Sequence, residues 1–225
     1  DKSNKKILTF IMFIITVVVL SGIVSAQQYE SGWDIIETEI DTNLSSAEST
    51  ENGLWVFGNS GTIGNSLDSG LTWSFQSVGE WNFKKSDSNS EQIVISTSEG
   101  EVLLIGNIDE NGGYDVNNIS RDESGMINDI VVKNDGGVLT IGPEGSIWHF
   151  DGLVWENRSI SENRNLLSVS FMDSSNGLIT GENGLILATS DGGISWDYRD
   201  APQEIQAKQI IDVEFYRLIR AYAIT

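Results

Sequence analysis

The chain has 225 residues, with 33 acidic against 13 basic side chains, a formal charge of −20 and no cysteine. Such a charge repels phosphate backbones, which argues against nucleic-acid binding and against docking on anionic lipid, and leaves basic partners and divalent cations open. The lack of cysteine excludes disulfides, thiol catalysis and thiolate metal sites. With 23 Gly, 2 Pro, 7 Trp and 39% hydrophobic residues, the composition suits a packed, turn-rich protein.

The N-terminus reads as a targeting segment. Lys2, Lys5 and Lys6 precede an apolar run from Ile7 to Val24, which ends at Val24-Ser25-Ala26. A positive head, an apolar middle and small residues before the cleavage point describe a signal peptide over residues 1–26. The run is also just long enough to span a bilayer, so an uncleaved N-terminal anchor through residues 7–24 is the rival reading. Either way the rest, residues 27–225, is expected to be exported: extracellular, periplasmic or at the cell surface. Asn43, Asn118 and Asn157 open N-x-[ST] sequons, which an exported chain can carry as glycan acceptors or by chance.

Beyond residue 27 no helical period is sustained. Apolar runs of four to six residues, such as Gly53–Phe57, Gln92–Ser96, Ile127–Val132 and Leu166–Phe171, alternate with Gly, Asn, Asp and Ser clusters. This is the pattern of short antiparallel strands and tight turns. Two stretches, Gly58–Trp73 and Gly181–Trp196, share the pattern G-x-x-G-x-I-x-x-[ST]-x-D-x-G-x-[ST]-W. The central glycines Gly61, Gly100, Gly145 and Gly184 recur at intervals of 39, 45 and 39 residues. A period near 40 with four strands per unit is the size of a propeller blade. Within a unit we expect a first strand such as Leu167–Phe171, a turn at Asp173–Gly177, a second strand Leu178–Thr180 and the Gly181–Gly184 hairpin. A third strand Leu185–Ala188 and the turn Asp191–Gly193 follow, with Trp196 beginning the fourth strand. Unit two is the most eroded, with the hairpin Asp109–Asp115 and no Trp after it. The pattern restarts at Ile211–Phe215 and Ala221–Thr225, so the chain reads as an all-β propeller of four blades and part of a fifth, from a source that continues past Thr225.

Ser66-x-Asp68-x-Gly70-x-Thr72-Trp73 and Thr189-x-Asp191-x-Gly193-x-Ser195-Trp196 resemble Asp-box (BNR) repeats. The wider unit, clearest over Asn176–Trp196, is similar to photosynthesis system II assembly and stability factor-like propellers. The resemblance implies a β-propeller over roughly residues 44–225 and a role in protein assembly without chemistry. The residue types explain the motif physically. An Asp carboxylate accepts amide N–H groups across its own turn, Gly supplies positive φ, Ser and Thr hydroxyls close the loop, and Trp packs on a neighbour. All of these roles are structural.

Asp-box propellers include sialidases, so a carbohydrate-active or glycan-binding propeller is the runner-up. Such a site needs three Arg to clamp a carboxylate, a Tyr–Glu pair and an acid. The arginines are Arg121, Arg158, Arg164, Arg199, Arg217 and Arg220, none in an early strand. His149, the single histidine, reads as a strand residue between Trp148 and Phe150. The loop Asp109-x-Asn111-Gly-Gly-x-Asp115 has the ligand types of a calcium loop but lacks the later bidentate Glu, and it falls where a hairpin is required. No cofactor, catalytic set or firm metal site is expected, and a protein is the expected partner.

Overall fold

The computed structural model describes residues 6–9, 34–37, 40–122, 125–215 and 221–225. The chain divides into two compact units, Asp1–Thr42 and Asn43–Thr225. In the first, β1 (Lys6–Thr9) pairs antiparallel with β2 (Asp34–Glu37). The rest of the targeting segment expected over residues 1–26 lies outside the described residues. Among the described residues no helix is long and apolar enough to cross a membrane.

The described strands of the second unit form antiparallel meanders. Blade I comprises β3 (Leu44–Thr50), β4 (Gly53–Gly58), β5 (Thr62–Ser66) and β6 (Ser74–Ser77). Blade II comprises β7 (Phe83–Ser88), β8 (Ile93–Thr97), β9 (Val102–Gly106) and β10 (Asp115–Asn118). Blade III runs through β11 (Asp129–Val132), β12 (Val138–Ile141), β13 (Ile147–Phe150) and β14 (Trp155–Asn157). Blade IV runs through β15 (Leu166–Phe171), β16 (Gly177–Gly181), β17 (Ile186–Thr189) and β18 (Asp197–Tyr198). A two-stranded sheet, β19 (Asp212–Phe215) with β20 (Ala221–Ile224), follows as blade V. The first strands β3, β7, β11, β15 and β19 adjoin one another in sequence, which is the arrangement of propeller blades around an axis. The fold is an all-β propeller of four complete blades and part of a fifth.

The core lies between blades. Trp55, Phe57 and Ile63 of blade I meet Phe83, Ile93, Ile95, Leu103 and Ile105 of blade II. Val94 and Val102 on the opposite face of blade II meet Ile130, Val132 and Val138 of blade III. Leu139, Ile141 and Ile147 of blade III meet Leu166, Val169, Ile179 and Leu187 of blade IV. A sheet buried on both faces needs no polar alternate, so β8 reads as the unbroken run Ile93-Val-Ile-Ser-Thr97, all of it buried. Removal of this apolar surface from water, at about 25 cal/mol per Å², is what joins one blade to the next.

The G-x-x-G signature has a separate reason at each glycine. The first one packs against the backbone that enters the blade's first strand. A Cβ on Gly58 or Gly181 would strike the carbonyl of Asn43 or Asn165, and one on Gly142 that of Met126. The second one sits in a tight hairpin with positive φ at both central residues: Ser60 with Gly61, Glu144 with Gly145, and Asn183 with Gly184. It also abuts the segment that leads to the next blade, where the Gly184 N–H donates to Lys208 O at 2.7 Å and the Ile160 N–H donates to Gly145 O at 3.0 Å. Blade II departs from the pattern. Thr97 stands at the first glycine position, and only Gly100 of its turn has positive φ.

The strand limits expected from sequence shift slightly. Trp73 and Trp196 stand one residue before β6 and β18 rather than opening them, because the closed Asp-box turn extends to that residue. Trp155, in a shorter turn, does open β14.

Gly184→Ala would combine φ +67 with a Cβ 2.6 Å from the Gln206 Cα. We expect it to lower unfolding free energy by at least about 2 kcal/mol in urea titration. Gly106→Ala, where a Cβ meets nothing within 4 Å, should stay within about 0.5 kcal/mol of the parent.

Candidate functional site

The first strand of each blade is an edge strand whose amides need partners. Side chains of the preceding blade supply them. Val132 N–H donates to Asp87 Oδ2 at 2.7 Å, and Val169 N–H donates to Asp129 Oδ2 at 3.0 Å. Val213 N–H donates to Ser168 Oγ at 3.2 Å. At the start of the series Ser86 and Ser88 donate to the two oxygens of Glu48 at 2.6 and 2.8 Å. The Ser168 hydroxyl lies 3.0 Å from Asp129 Oδ2 and 3.3 Å from Asp212 Oδ1, so its one proton serves one carboxylate at a time.

These strands line a channel of about 280 Å³ whose ionisable residues include Lys85, Asp87, Asp129, Asp212 and Glu214. Burial is the main reason that four carboxyls in and beside it, those of Asp87, Glu48, Asp129 and Glu214, hold protons more tightly than usual. It pushes Asp87 up to about 7, with Glu48 adding repulsion, while the Val132 N–H pulls the other way. Burial raises Glu48 and Asp129 too, although each accepts hydrogen bonds, and it raises Glu214 with help from the Asp212 charge. The channel is therefore acidic, with its oxygens largely committed to neighbouring strands. Among the described residues no histidine lines it, and the hydroxyls of Ser168 and Ser170 are hydrogen-bonded to carboxylates of adjacent first strands.

The two Asp boxes have the same internal geometry. Asp68 Oδ1 accepts from Thr72 N–H at 2.8 Å and its Oδ2 from Thr72 Oγ1 at 2.6 Å, while Ser66 Oγ donates to Oδ1 at 2.8 Å and accepts from Gly70 N–H at 2.8 Å. In the second box Ser195 supplies the corresponding amide and hydroxyl bonds to Asp191 at 3.0 and 2.6 Å, and Thr189 bridges Asp191 and Gly193 at 2.7 and 2.9 Å. These bonds favour the ionised form and hold both carboxyls at about 2. Both boxes lie in the turn between third and fourth strands, at the outer edge of the blade, whereas the channel is lined by first strands. The two tryptophans differ in their packing. Trp196 joins the core between blades III and IV and meets Phe171 edge-on at 6.1 Å. Trp73 stacks on Phe75 at 6.1 Å and donates its indole N–H to Gly70 O at 3.1 Å.

The other candidate residues fall in several places. Asp109 Oδ1 accepts the N–H groups of Asn111 and Gly113 at 2.8 and 2.9 Å, and Asp115 Oδ2 accepts from the Asn107 amide at 2.7 Å. Those oxygens close the hairpin between β9 and β10. Among the described residues no group of three His, Asp or Glu could hold a metal ion. His149 is buried on β13, and neither ring nitrogen has a partner. Burial, then the charges of Arg158 and Lys133, lower its pKa and keep it neutral at pH 7.

Two sequons have a structural use. Asn118 and Asn157 accept the N–H of Ser120 and Ser159 at 2.9 Å, and each serine hydroxyl accepts the first amide of the adjacent third strand, Val102 at 2.9 Å and Ile147 at 3.1 Å. The four described arginines are spread outside the channel. Arg121 lies over Trp148 and Trp155 at 4.6 and 5.8 Å, while Arg158, Arg164 and Arg199 pair with Glu156, Glu162 and Asp197. Arg217 and Arg220 lie outside the described residues.

The carboxylate and serine ladder between first strands was not singled out from sequence. Its signal is present, because Glu48, Asp87, Asp129, Ser168, Asp212 and Glu214 stand at corresponding alternate positions of the first strands. Composition hides it in a chain with 33 acidic side chains.

Sheet topology, repeated G-x-x-G hairpins and two closed Asp boxes define the chain as an Asp-box repeat β-propeller. Residues 147–218 match the family model described as Photosynthesis system II assembly factor YCF48, and the chain resembles such assembly factors. The Photosystem II assembly lipoprotein Ycf48 of Prochlorococcus marinus (strain MIT 9312) is 36% identical over 67 residues, which covers 29% of this chain and 20% of the relative. Its counterpart in strain NATL2A is 41% identical over 63 residues, covering 27% and 18%. The matched segment thus spans about a fifth of those relatives' length. In solved structures, YCF48 from Cyanidioschyzon merolae superposes with a TM-score of 0.67 over 86% of this chain and 68% of that one, at 13% identity, a likeness of fold.

Two sets of carboxyls impose opposite pH dependences. For Asp87 the folded pKa lies above the unfolded value, so its contribution is greatest below about pH 4 and is lost as pH rises toward 7. For Asp68 and Asp191 the folded pKa lies below the unfolded value, so their contribution is lost as pH falls from about 4 to about 2. Urea midpoints should be higher near pH 5 than at pH 8, and Asp87→Asn should shrink that difference. Asp191→Ala should lower the midpoint at pH 7 more than Asp197→Ala, whose carboxylate makes one 3.7 Å ion pair.

Proposed function

We propose that the chain is an exported, non-catalytic protein-binding platform that helps assemble a multi-subunit complex, as the names of its relatives describe for photosystem II. The observation that carries this reading is the match of residues 147–218, from the third strand of blade III through blade IV and into blade V, to the assembly-factor family. The site geometry supports it. Channel carboxylates are occupied in holding blades together, the Asp boxes close their own turns, and the four described arginines are distributed on blades II to IV away from the channel. A rigid ring of sheets that presents loops on two faces suits recognition by a folded partner. Export rests on the apolar N-terminal run and its Val24-Ser25-Ala26 ending.

The test pairs two measurements on the full-length protein. It should release no product from a panel of fluorogenic glycosides, and cross-linking in its native host should trap a stoichiometric protein subunit of a larger complex. Turnover of any glycoside would replace this reading with the carbohydrate-active one. Fractionation of the host places the protein, with recovery in the cytosol counting against export.

A further inference from the structure

In an antiparallel four-stranded blade the turn between third and fourth strands lies at the same end of every blade. In blades I, III and IV this turn holds a large aliphatic side chain in water. Leu71 is 82% exposed, Leu153 88% and Ile194 67%, joined by Val154 at 57% and Leu67 at 50%. Single exposed apolar residues are ordinary on a protein surface. Here five of the nine exposed large hydrophobics among the described residues fall in three equivalent turns. The closing carboxylates hold them there. Asp151 Oδ1 accepts the N–H groups of Leu153 and Val154 at 2.8 and 2.9 Å, and the Asp boxes fix the residues that follow Leu71 and Ile194.

We propose that this outer rim is a docking surface for an uncharged lipid bilayer. Three considerations select that occupant. The most exposed tips, Leu71, Leu153 and Ile194, stand on three separate blades, which suits shallow entry into a fluid apolar phase better than a complementary protein pocket. Repeated blades around one axis carry their equivalent turns to one side, so the tips can meet a flat surface together. Each tip also lies within three residues of an ionised carboxylate, Asp68, Asp151 or Asp191, on a chain of charge −20, which repels anionic headgroups and leaves neutral or zwitterionic ones. Blade II contributes no tip, since its turn is Asp109-Glu-Asn-Gly-Gly113.

These 225 residues contain no cysteine, so a label can be placed at a single chosen site within them. Full-length Leu71→Cys, Leu153→Cys and Glu99→Cys proteins are labelled with a polarity-sensitive fluorophore and mixed with phosphatidylcholine vesicles. Glu99 is exposed in the turn between second and third strands, at the other end of blade II. Emission from positions 71 and 153 should shift to the blue and that from position 99 should not. Half-anionic vesicles containing phosphatidylglycerol should weaken the shift. Leu71→Ser, Leu153→Ser and Ile194→Ser combined should abolish vesicle-dependent protection of the rim and lower partitioning by about tenfold or more, with the circular-dichroism spectrum unchanged. Because residues 7–24 are the same in every variant, partitioning through them alone gives binding without a shift at positions 71 and 153. That outcome overturns the proposal, as do an equal shift at position 99, stronger response to anionic vesicles, or a shift that appears with a folded protein partner and not with lipid.

Discussion

Contact between successive blades is the interaction on which the rest of the structure depends. Among the described residues, each core cluster of blades I to IV is shared by two adjacent blades. Ile93 and Ile95 face blade I while Val94, between them, faces blade III, so one strand contributes to two cores. The consequence is a nearest-neighbour architecture in which each blade is stable because the adjacent ones cover it. It also accounts for the constant four-stranded sheet of each complete blade, since a blade must present the same width of sheet to both sides.

Apolar burial holds the faces together but does nothing for backbone groups at the inner edge. There the protein uses polar side chains, and the choice of Asp, Ser and Glu is a matter of reach: a short side chain from one first strand meets the next strand's amide. The cost is burial of carboxyls, visible in the raised Asp87, Asp129 and Glu48. At the outer edge the same residue types work in the opposite sense. Asp68 and Asp191 accept several donors in water, are stabilised as anions, and close a loop without being buried. One residue type thus serves two purposes that differ only in solvent exposure.

This division bears on function. A propeller whose channel polar groups are committed to its own backbone offers its loops, rather than its centre, for recognition. The loops on the two faces differ in kind. Turns between second and third strands are tight and centred on a glycine that is buried while the residue before it is exposed, so their backbone is constrained by the fold. Turns between third and fourth strands are closed internally by a carboxylate, which frees the residues at their tips from any packing duty. That freedom is why the tips can carry exposed aliphatic side chains.

Much of this was legible in the sequence, for a reason particular to repeats. Gly61, Gly100, Gly145 and Gly184 mark places where a side chain cannot fit, and such marks recur with the unit, so blade number and strand order followed from spacing. The two Asp boxes identified their turns because every donor and acceptor is within seven residues. The sequons Asn118 and Asn157 and the loop at Asp109 were ambiguous, since Asx-type turns, glycan acceptors and calcium loops draw on the same residues. What only the tertiary structure decided is which residues meet across blades: that Asp87, Asp129 and Ser168 cap the strands of their neighbours, that Trp196 enters a core while Trp73 stacks within its own blade, and that Leu71, Leu153 and Ile194 share one rim. Local sequence encodes contacts that close within a turn. Contacts between residues some 40 positions apart exist only once the blades are stacked, and the partners they select are set by that geometry.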